Sequence, residues 1–221
     1  MKKLYIILNI FLFLFSNINI SLAKEDCPTI STPKIEVYSS YGKLRYDLSK
    51  SNSYITALAK QNGKVEKGMF ASGLSTIKIE SDIDFASRTL KIKNYYCVYP
   101  EAISVFVGYQ TPIIHIAKNL RKGSCKFNMV KRHEQAHQQI NITTLKYFMP
   151  KFSQFAKKLA LNIKPIKVSS KTKANKATQF MLEKYHADFK QIVDIFKSEL
   201  KIENGKLDTK TNYKIESNIC K

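Results

Sequence analysis

Apolar and polar residues alternate with a period of two along much of the first half of the chain, which is typical of strands with one buried face. Segments 34–38 and 44–48 flank Tyr41 and Gly42, a pair that favours a turn, so we predict a β-hairpin there. A short helix is predicted at 53–61. The other predicted strands are 75–80, 89–92, 103–109 and 113–117, with turns at Gly63, Gly68 and Gly73.

The second half changes to the three-and-four spacing of amphipathic helices. A long helix is predicted from Ser124, a good N-terminal cap, to about Phe148, because Pro150 should stop it. After it we predict a helix at 152–161, a polar connector at 165–176, and a helix from 177 to about 201 that ends at Asn204 and Gly205. A β-rich half followed by a helical half predicts an α+β fold.

The N-terminus has the three-part layout of a secretory signal peptide. A positive start (residues 1–3) precedes an apolar run (4–15), and Ser21 and Ala23 supply the small residues of a cleavage site. An uncleaved anchor is the alternative, but the apolar run is shorter than the roughly 20 residues that span a bilayer. We therefore expect cleavage after Ala23, no later membrane-spanning segment, and a single domain at 24–221 in the periplasm or outside the cell.

The chain is strongly basic, with a net charge of +20 that falls to +18 when Lys2 and Lys3 are removed with the signal peptide. Such a charge favours anionic partners, among them lipid headgroups, cell-wall polymers and acidic proteins. Export argues against nucleic acid as the partner. The alternative is a compositional bias towards lysine, since the charge is spread along the chain.

The mature part contains four cysteines, Cys27, Cys97, Cys125 and Cys220. An even number in an exported chain predicts two disulfides, and four cysteines allow three pairings. We favour Cys97–Cys125 and Cys27–Cys220, the second of which would join the ends of the mature chain. The chain has no Cys-x-x-Cys pair, which argues against a thiol redox site and a zinc ribbon.

The long predicted helix contains His133-Glu134-Gln135-Ala136-His137. Two histidines four positions apart lie one turn above each other on a helix, so both imidazoles can reach one zinc ion. Glu134 lies about 100° round the helix, in a position to accept a proton from water bound to that ion. The pattern predicts a zinc site with Glu134 as general base. The alternative is two core histidines that bind backbone groups.

The helical projection places both histidines on the apolar face of this helix. That face also carries Met129, Val130, Ala136, Ile140, Thr144 and Phe148. The opposite face is predicted to carry Lys131, Arg132, Gln135, Gln138, Gln139 and Lys146. The histidines are therefore expected to point into the protein.

The pentapeptide resembles the shared motif of the zincin superfamily of zinc metallopeptidases, which implies that His133 and His137 are zinc ligands and that Glu134 is catalytic. The whole layout resembles the bacterial family of secreted zinc-dependent proteases of unknown function. The features that this chain shares with that family are a signal peptide, a β-rich first half, a cysteine just before the active-site helix and a helical second half. Two departures from the extended zincin pattern are Lys131, where an uncharged residue is preferred, and Gln139, where an apolar one is.

A catalytic zinc usually has three protein ligands, and the third is not evident in the sequence. Ile140 and Thr143 stand where a metzincin has glycine and histidine, which excludes that subclass. Four later residues remain as candidates, in the order His186, Asp188, Asp208 and Glu183. His186 leads because imidazole is a preferred zinc ligand. Asp208 resembles the aspartate that follows the active-site helix in aspzincins.

Two further groups of residues bear on the site. A transition-state oxyanion needs a hydrogen-bond donor, and the candidates are Tyr147, Tyr185 and Tyr213. His115 lies in an apolar run and is expected to be an ordinary strand histidine.

Three functions from different classes remain open. The first is an exported zinc peptidase or amidase acting on protein or on the peptides of peptidoglycan. The second is a non-catalytic basic domain that binds an anionic surface of the cell envelope. The third is a zinc-dependent effector acting in a host, for which nothing in the chain indicates a route of entry.

Overall fold

The computed structural model describes residues 27–62 and 70–220. The predicted signal peptide with its cleavage point, Gly63 and Gly68 lie outside the described residues. In chain order the elements are β1 (Lys34–Tyr38), β2 (Arg45–Asp47), α1 (Asn52–Gln61), β3 (Gly73–Ile92), β4 (Tyr95–Ile116), α2 (Cys125–Leu161), β5 (Ile166–Val168), a 3₁₀ turn (Lys171–Lys173), α3 (Ala174–Leu207) and α4 (Lys210–Asn218). The predicted α+β class is confirmed.

Two long antiparallel strands, β3 and β4, form the centre of the sheet. The four separate strands predicted from the sequence are parts of these two. They join through a tight turn in which Lys93 has a positive φ of 50°. The register shifts between Thr76 and Lys78 and again between Ala86 and Ser87. Such irregularities interrupt the alternation of side chains, which explains why the sequence pattern breaks into shorter pieces.

The predicted hairpin at 34–48 is wrong. β1 and β2 both pair with β4, and both run parallel to it. Lys34 faces Ala102 and Arg45 faces Ile113, an offset of 68 positions in each case. The two segments are therefore successive parts of one interrupted edge strand, because β4 is long enough to pair with both.

One face of the sheet packs against α2 and α3. Alternate residues of β4 supply its buried side chains, and the helices add an aromatic and aliphatic layer. Tyr185 on α3 donates a hydrogen bond to the carbonyl of Ala156 on α2, whereas Asn204 near the end of α3 reaches His137 near the start of α2. The two helices are therefore antiparallel, and α3 returns the chain to the first turns of α2.

Both long helices continue past the residues expected to end them. Ser124 caps α2 as predicted, and its hydroxyl accepts from the amide of Phe127. Pro150 lies inside α2, on its exposed side, while Phe148 and Phe152 are buried on either side of it. Burial of that face offsets the lost backbone hydrogen bond. Gly205 likewise lies inside α3.

The favoured disulfide pairing is also wrong. The four cysteines do form two disulfides, but these are Cys27–Cys97 and Cys125–Cys220. Cys97 lies near the start of β4, whereas Cys125 follows the end of that 22-residue strand. A disulfide needs Cα atoms within about 7 Å of each other, and a long strand keeps its ends far apart.

The two disulfides fit an extracellular or periplasmic protein. Among residues 27–62 and 70–220, the helices do not reach the combination of length and hydrophobicity that a membrane crossing requires.

Candidate metal centre

The first half of α2 brings three side chains of the motif into the protein. His133, Glu134 and His137 are all buried, as the helical projection predicts for the two histidines. Gln138, expected on the exposed face, is buried as well, because its amide donates to the hydroxyl of Ser75 on β3. The buried surface of α2 is therefore wider than the apolar pattern alone indicates.

Asp208, at the C-terminal cap of α3, completes a close group with the two histidines. Its Oδ1 lies 3.1 Å from Nε2 of His133 and 3.0 Å from Nε2 of His137. The two Nε2 atoms are 3.2 Å apart. Three donor atoms thus form a nearly equilateral triangle, and we call these three residues the metal triad.

The outer nitrogen of each imidazole has its own acceptor. Nδ1 of His133 lies 3.1 Å from Oε1 of Glu216, and Nδ1 of His137 lies 2.7 Å from Oδ1 of Asn204. The amide of Asn204 is oriented by its NH₂ group, which donates to Asn141 and to the carbonyl of Leu200. Both Nδ1 atoms therefore carry a proton.

This protonation leaves both Nε2 lone pairs pointing at an oxygen of Asp208 that also bears lone pairs. Three acceptor atoms within 3.2 Å of one another are mutually repulsive unless a cation lies between them. The cation can be a proton on one imidazole or a metal ion. Ligand atoms in a tetrahedral zinc site are about 3.3–3.4 Å apart, given bonds of about 2.0–2.1 Å. The metal triad therefore fits zinc after a slight expansion.

Without metal, the electrostatics favour a proton. Burial lowers the pKa of His133, but its hydrogen bonds to Asp208 and Glu216 outweigh burial and raise that pKa to about 9. Burial raises the pKa of Asp208, yet hydrogen bonds from His133, His137 and Tyr213 hold it well below its usual range. Metal ions and protons compete for the same nitrogen, so zinc binding would displace this proton.

Glu134 lies beside the metal triad in a pocket of about 510 Å³. A Cβ atom placed on Gly73 would be 2.6 Å from Oε1 of Glu134 and 2.5 Å from a methyl group of Val130. Glycine at the start of β3 therefore makes the room that the carboxylate occupies. The pocket is lined by Phe70, Ala71, Ser72, Gly73, Met129, Val130, His133, Glu134, Lys210, Tyr213 and Glu216.

Of the four candidate third ligands, the structure brings Asp208, and not His186, next to His133 and His137. His186 is an exposed residue of α3. It lies 18 positions before Asn204 on the same helix, or about 27 Å along the axis at 1.5 Å per residue. Glu183, also exposed, accepts from Gln179, and Asp188 lines a separate groove. His115 is a buried residue of β4, as expected, 3.4 Å from Asp47.

The three candidate tyrosines have different surroundings. The hydroxyl of Tyr213 donates to Oδ1 of Asp208 at 2.6 Å, and its ring lies beside that of His133. Tyr185 donates to a carbonyl in the core, and Tyr147 is an exposed residue of α2. Tyr213 is thus the candidate that lies at the site.

Sequence reasoning missed Glu216 and Asn204, the partners of the two Nδ1 atoms. α4, which carries Glu216, was not predicted at all, because its nine residues are mostly polar. The available signal was Thr209, which caps α4 by accepting from the amide of Asn212. The sequence predicts that the helix stops at Asn204, since Asn-Gly favours a turn.

Comparison of the chain with protein-family models, with curated proteins and with solved structures found no match.

Proposed function

We propose that the chain is an exported, zinc-dependent hydrolase of peptide or amide bonds. His133, His137 and Asp208 would hold the ion, and Glu134 would act as general base. The observation that carries the proposal is the convergence of three lone-pair atoms within 3.2 Å of one another, with both imidazoles held in the tautomer that a metal requires.

Zinc, when bound, acidifies a water molecule and polarises the carbonyl that is attacked. Glu134 accepts the proton of the attacking water and passes it to the leaving amine. Its carboxylate lines the same pocket as His133, and α2 places the two side chains next to each other. A general base must lie within hydrogen-bond reach of the proton it takes, and this arrangement supports that role.

Tyr213 is the residue that we propose to stabilise the developing oxyanion. Partial burial of the hydroxyl, together with its hydrogen bond to Asp208, raises the pKa of Tyr213 above its usual range, so it remains a donor at neutral pH. A donor aimed at the point where charge develops lowers the barrier. In the structure that hydrogen bond goes to Asp208, and substrate would compete for it.

The pocket around Glu134 supports a substrate with an apolar side chain close to the bond that is cleaved. Phe70, Met129 and Val130 contribute apolar walls to it. Both substrate classes, protein and the peptides of peptidoglycan, contain such side chains.

The test combines metal content with hydrolysis. Purified mature chain should bind one zinc ion and hydrolyse a mixed peptide library or peptidoglycan-derived peptides. Glu134→Gln should keep the zinc and lose hydrolysis, whereas Asp208→Ala should lose both. Hydrolysis that survives Glu134→Gln would remove the proposed base. A wild-type chain that does not take up zinc would end the proposal.

Export is part of the same proposal. The mature protein should begin at Lys24, and its first residues are read directly by N-terminal sequencing of the protein recovered from the periplasm or the medium. Retention of Met1 in the envelope fraction would instead support an anchor.

A second candidate function, attachment to an anionic envelope surface, is favoured by one feature. Residues 135–182 contain nine lysines and no acidic residue. The structure brings part of this stretch together in a groove between the end of α2 and the first half of α3, where Phe180 is 61 % exposed and lies with Lys164 among the lining residues. Lysines around exposed apolar side chains favour an anionic lipid surface.

Vesicle binding separates this function from hydrolysis. The chain should sediment with vesicles containing anionic lipid and not with neutral ones, in the presence of a chelator, and Lys171→Gln with Lys173→Gln and Lys176→Gln should weaken binding. Lys34→Gln with Lys43→Gln and Lys91→Gln, three exposed lysines from the sheet half, is the control. Equal effects of the two triple variants would show that net charge alone matters.

A further inference from the structure

α4 is not held in place by hydrophobic burial. None of its nine residues is buried, and Ile215 and Ile219 at its end are more than half exposed. An isolated helix of this length is marginal in water. Its position on the protein must therefore depend on its polar contacts and on the disulfide that follows it.

Asn212 of α4 donates to two carbonyls at the end of α3, and two other residues of α4 contact the metal triad. Tyr213 donates to Asp208, and Glu216 accepts from Nδ1 of His133 at 3.1 Å. The ring of Tyr213 also lies 5.3 Å from that of His133, centre to centre. α4 thus fixes one ligand on α2 and another at the end of α3.

The disulfide Cys125–Cys220 closes this arrangement. Cys125 is the first residue of α2, eight positions before His133, and Cys220 lies four positions after Glu216. The bond therefore joins the start of the helix that carries both histidines to the end of the helix that orients one of them. Cys27–Cys97, the other disulfide, links the chain before β1 to the start of β4.

We infer that the Cys125–Cys220 disulfide is a clasp that holds α4 on the metal triad, and that Glu216 is a positioning residue that fixes the imidazole of His133 for the ion. The part of this inference that concerns zinc rests on the proposed function. The part that concerns α4 does not. Reduction of the clasp should loosen α4, release Glu216 and Tyr213 together, and weaken zinc binding without removing any ligand.

The first experiment measures the clasp without metal. Amide hydrogen exchange of residues 210–218 is compared in the chelator-treated wild type, in Cys125→Ser with Cys220→Ser, and in Cys27→Ser with Cys97→Ser. The clasp predicts that protection of α4 is lost in the first variant and kept in the second, at a temperature where both are folded by circular dichroism. Equal protection of α4 in wild type and in Cys125→Ser with Cys220→Ser would overturn it.

The second experiment measures zinc affinity by competition with a chromophoric chelator. Glu216→Ala should weaken binding about 10–100-fold, the usual effect of losing an outer partner of a ligand histidine. Glu216→Gln keeps an oxygen that can accept the Nδ1 proton and should recover part of the loss. Glu203→Gln, which alters an ion pair with Lys206 on α3, is the matched control and should bind like wild type.

A spectroscopic readout separates positioning from general loosening. With cobalt in place of zinc, Glu216→Ala should shift the visible absorption bands, which report ligand geometry, whereas Glu203→Gln should not. If Glu216→Ala binds zinc as tightly as wild type with unchanged cobalt bands, Glu216 is not a positioning residue. If the wild type takes up no metal, the proposed function fails, and the exchange experiment still decides whether the clasp holds α4.

Discussion

The antiparallel pair of α2 and α3 has two ends of opposite character. At the far end Phe152 packs with Phe189 and Phe196 in an aromatic core. At the near end the same two helices bury His133, His137 and Asn141 against Asn204 and Asp208. Burial of apolar rings stabilises the fold, whereas burial of polar groups costs free energy unless each is paired. One pair of helices therefore has an apolar end that stabilises the fold and a polar end that carries the candidate metal site.

The largest expected effect is at the aromatic end. Phe152 is fully buried, and Phe152→Ala should lower the free energy of unfolding by about 3–5 kcal/mol, as ring removal from a packed core does. Denaturant unfolding measures the change. Zinc stoichiometry of the folded variant should equal that of wild type. Phe180→Ala, at an exposed site, is the control, with a change within about 0.5 kcal/mol. Loss of zinc binding in Phe152→Ala would show that the aromatic end and the polar end do not behave independently.

The next effect is at the polar end and depends on metal. Zinc at 100 times its dissociation constant should raise the free energy of unfolding of wild type by about 2.7 kcal/mol, because it binds the folded state. Asp208→Asn should lose most of this increment, since a neutral amide replaces the anionic member of the metal triad. Thermal unfolding with zinc and with chelator measures both. Equal zinc stabilisation of the two proteins would show that Asp208 is not a ligand.

Two glycines near the polar end should respond to alanine with opposite signs. Gly73→Ala places a methyl group against Glu134 and Val130, and should destabilise by about 1–3 kcal/mol while hydrolysis falls and zinc is retained. In the described part of the chain, apart from neighbouring residues and the backbone of α3 itself, no heavy atom lies within 4 Å of such a methyl group at Gly205. Gly205→Ala should therefore stabilise by about 0.5–1 kcal/mol. Destabilisation by both would mean that helix propensity at 205 is overridden by contacts with the site.

The aromatic end could be predicted from the sequence more fully than the polar end. Apolar spacing reveals Phe189 and Phe196 as a buried stripe, and the motif identifies the two histidines and Glu134. The error at Pro150 arose because tertiary burial of Phe148 and Phe152 outweighs the local cost of proline. The hairpin at 34–48 failed because pairing with distant β4 replaced pairing between neighbours.

The positions of Asp208 and Glu216 could not be predicted from the sequence for a different reason. Asp208 meets the histidines only because α3 continues through Asn204 and Gly205, where a turn was expected. Glu216 belongs to a helix that lacks an apolar stripe and is stabilised by contacts with distant residues. Local residue spacing does not encode such long-range contacts, so the sequence motif points to the two histidines of α2 but not to the residues that surround them.

The smallest expected effect concerns His115, the buried histidine outside the triad, and the way its titration changes stability with pH. Burial lowers the pKa of His115, and attraction to Asp47, which would raise it, does not fully compensate; Lys50 lowers it further. The folded pKa therefore lies below the unfolded value of 6.5. Above that pH both states are neutral and His115 has no effect. As pH falls below 6.5, the unfolded chain takes up the proton first, so stability falls.

His115→Gln should remove this contribution. Unfolding free energies of wild type and variant, measured from pH 7 to about 5 in chelator, should converge as pH falls, because wild type alone has the penalty from this residue. The difference between the two proteins cancels the titration of His133. Asp47 is affected by the substitution, but hydrogen bonds from Ser49 lower its pKa, so it titrates only at more acid pH. A constant difference would show that His115 takes its proton equally well in both states. The pKa difference between His115 and His133, which lies between two carboxylates, would then be due mainly to the hydrogen bonds of His133 and much less to burial.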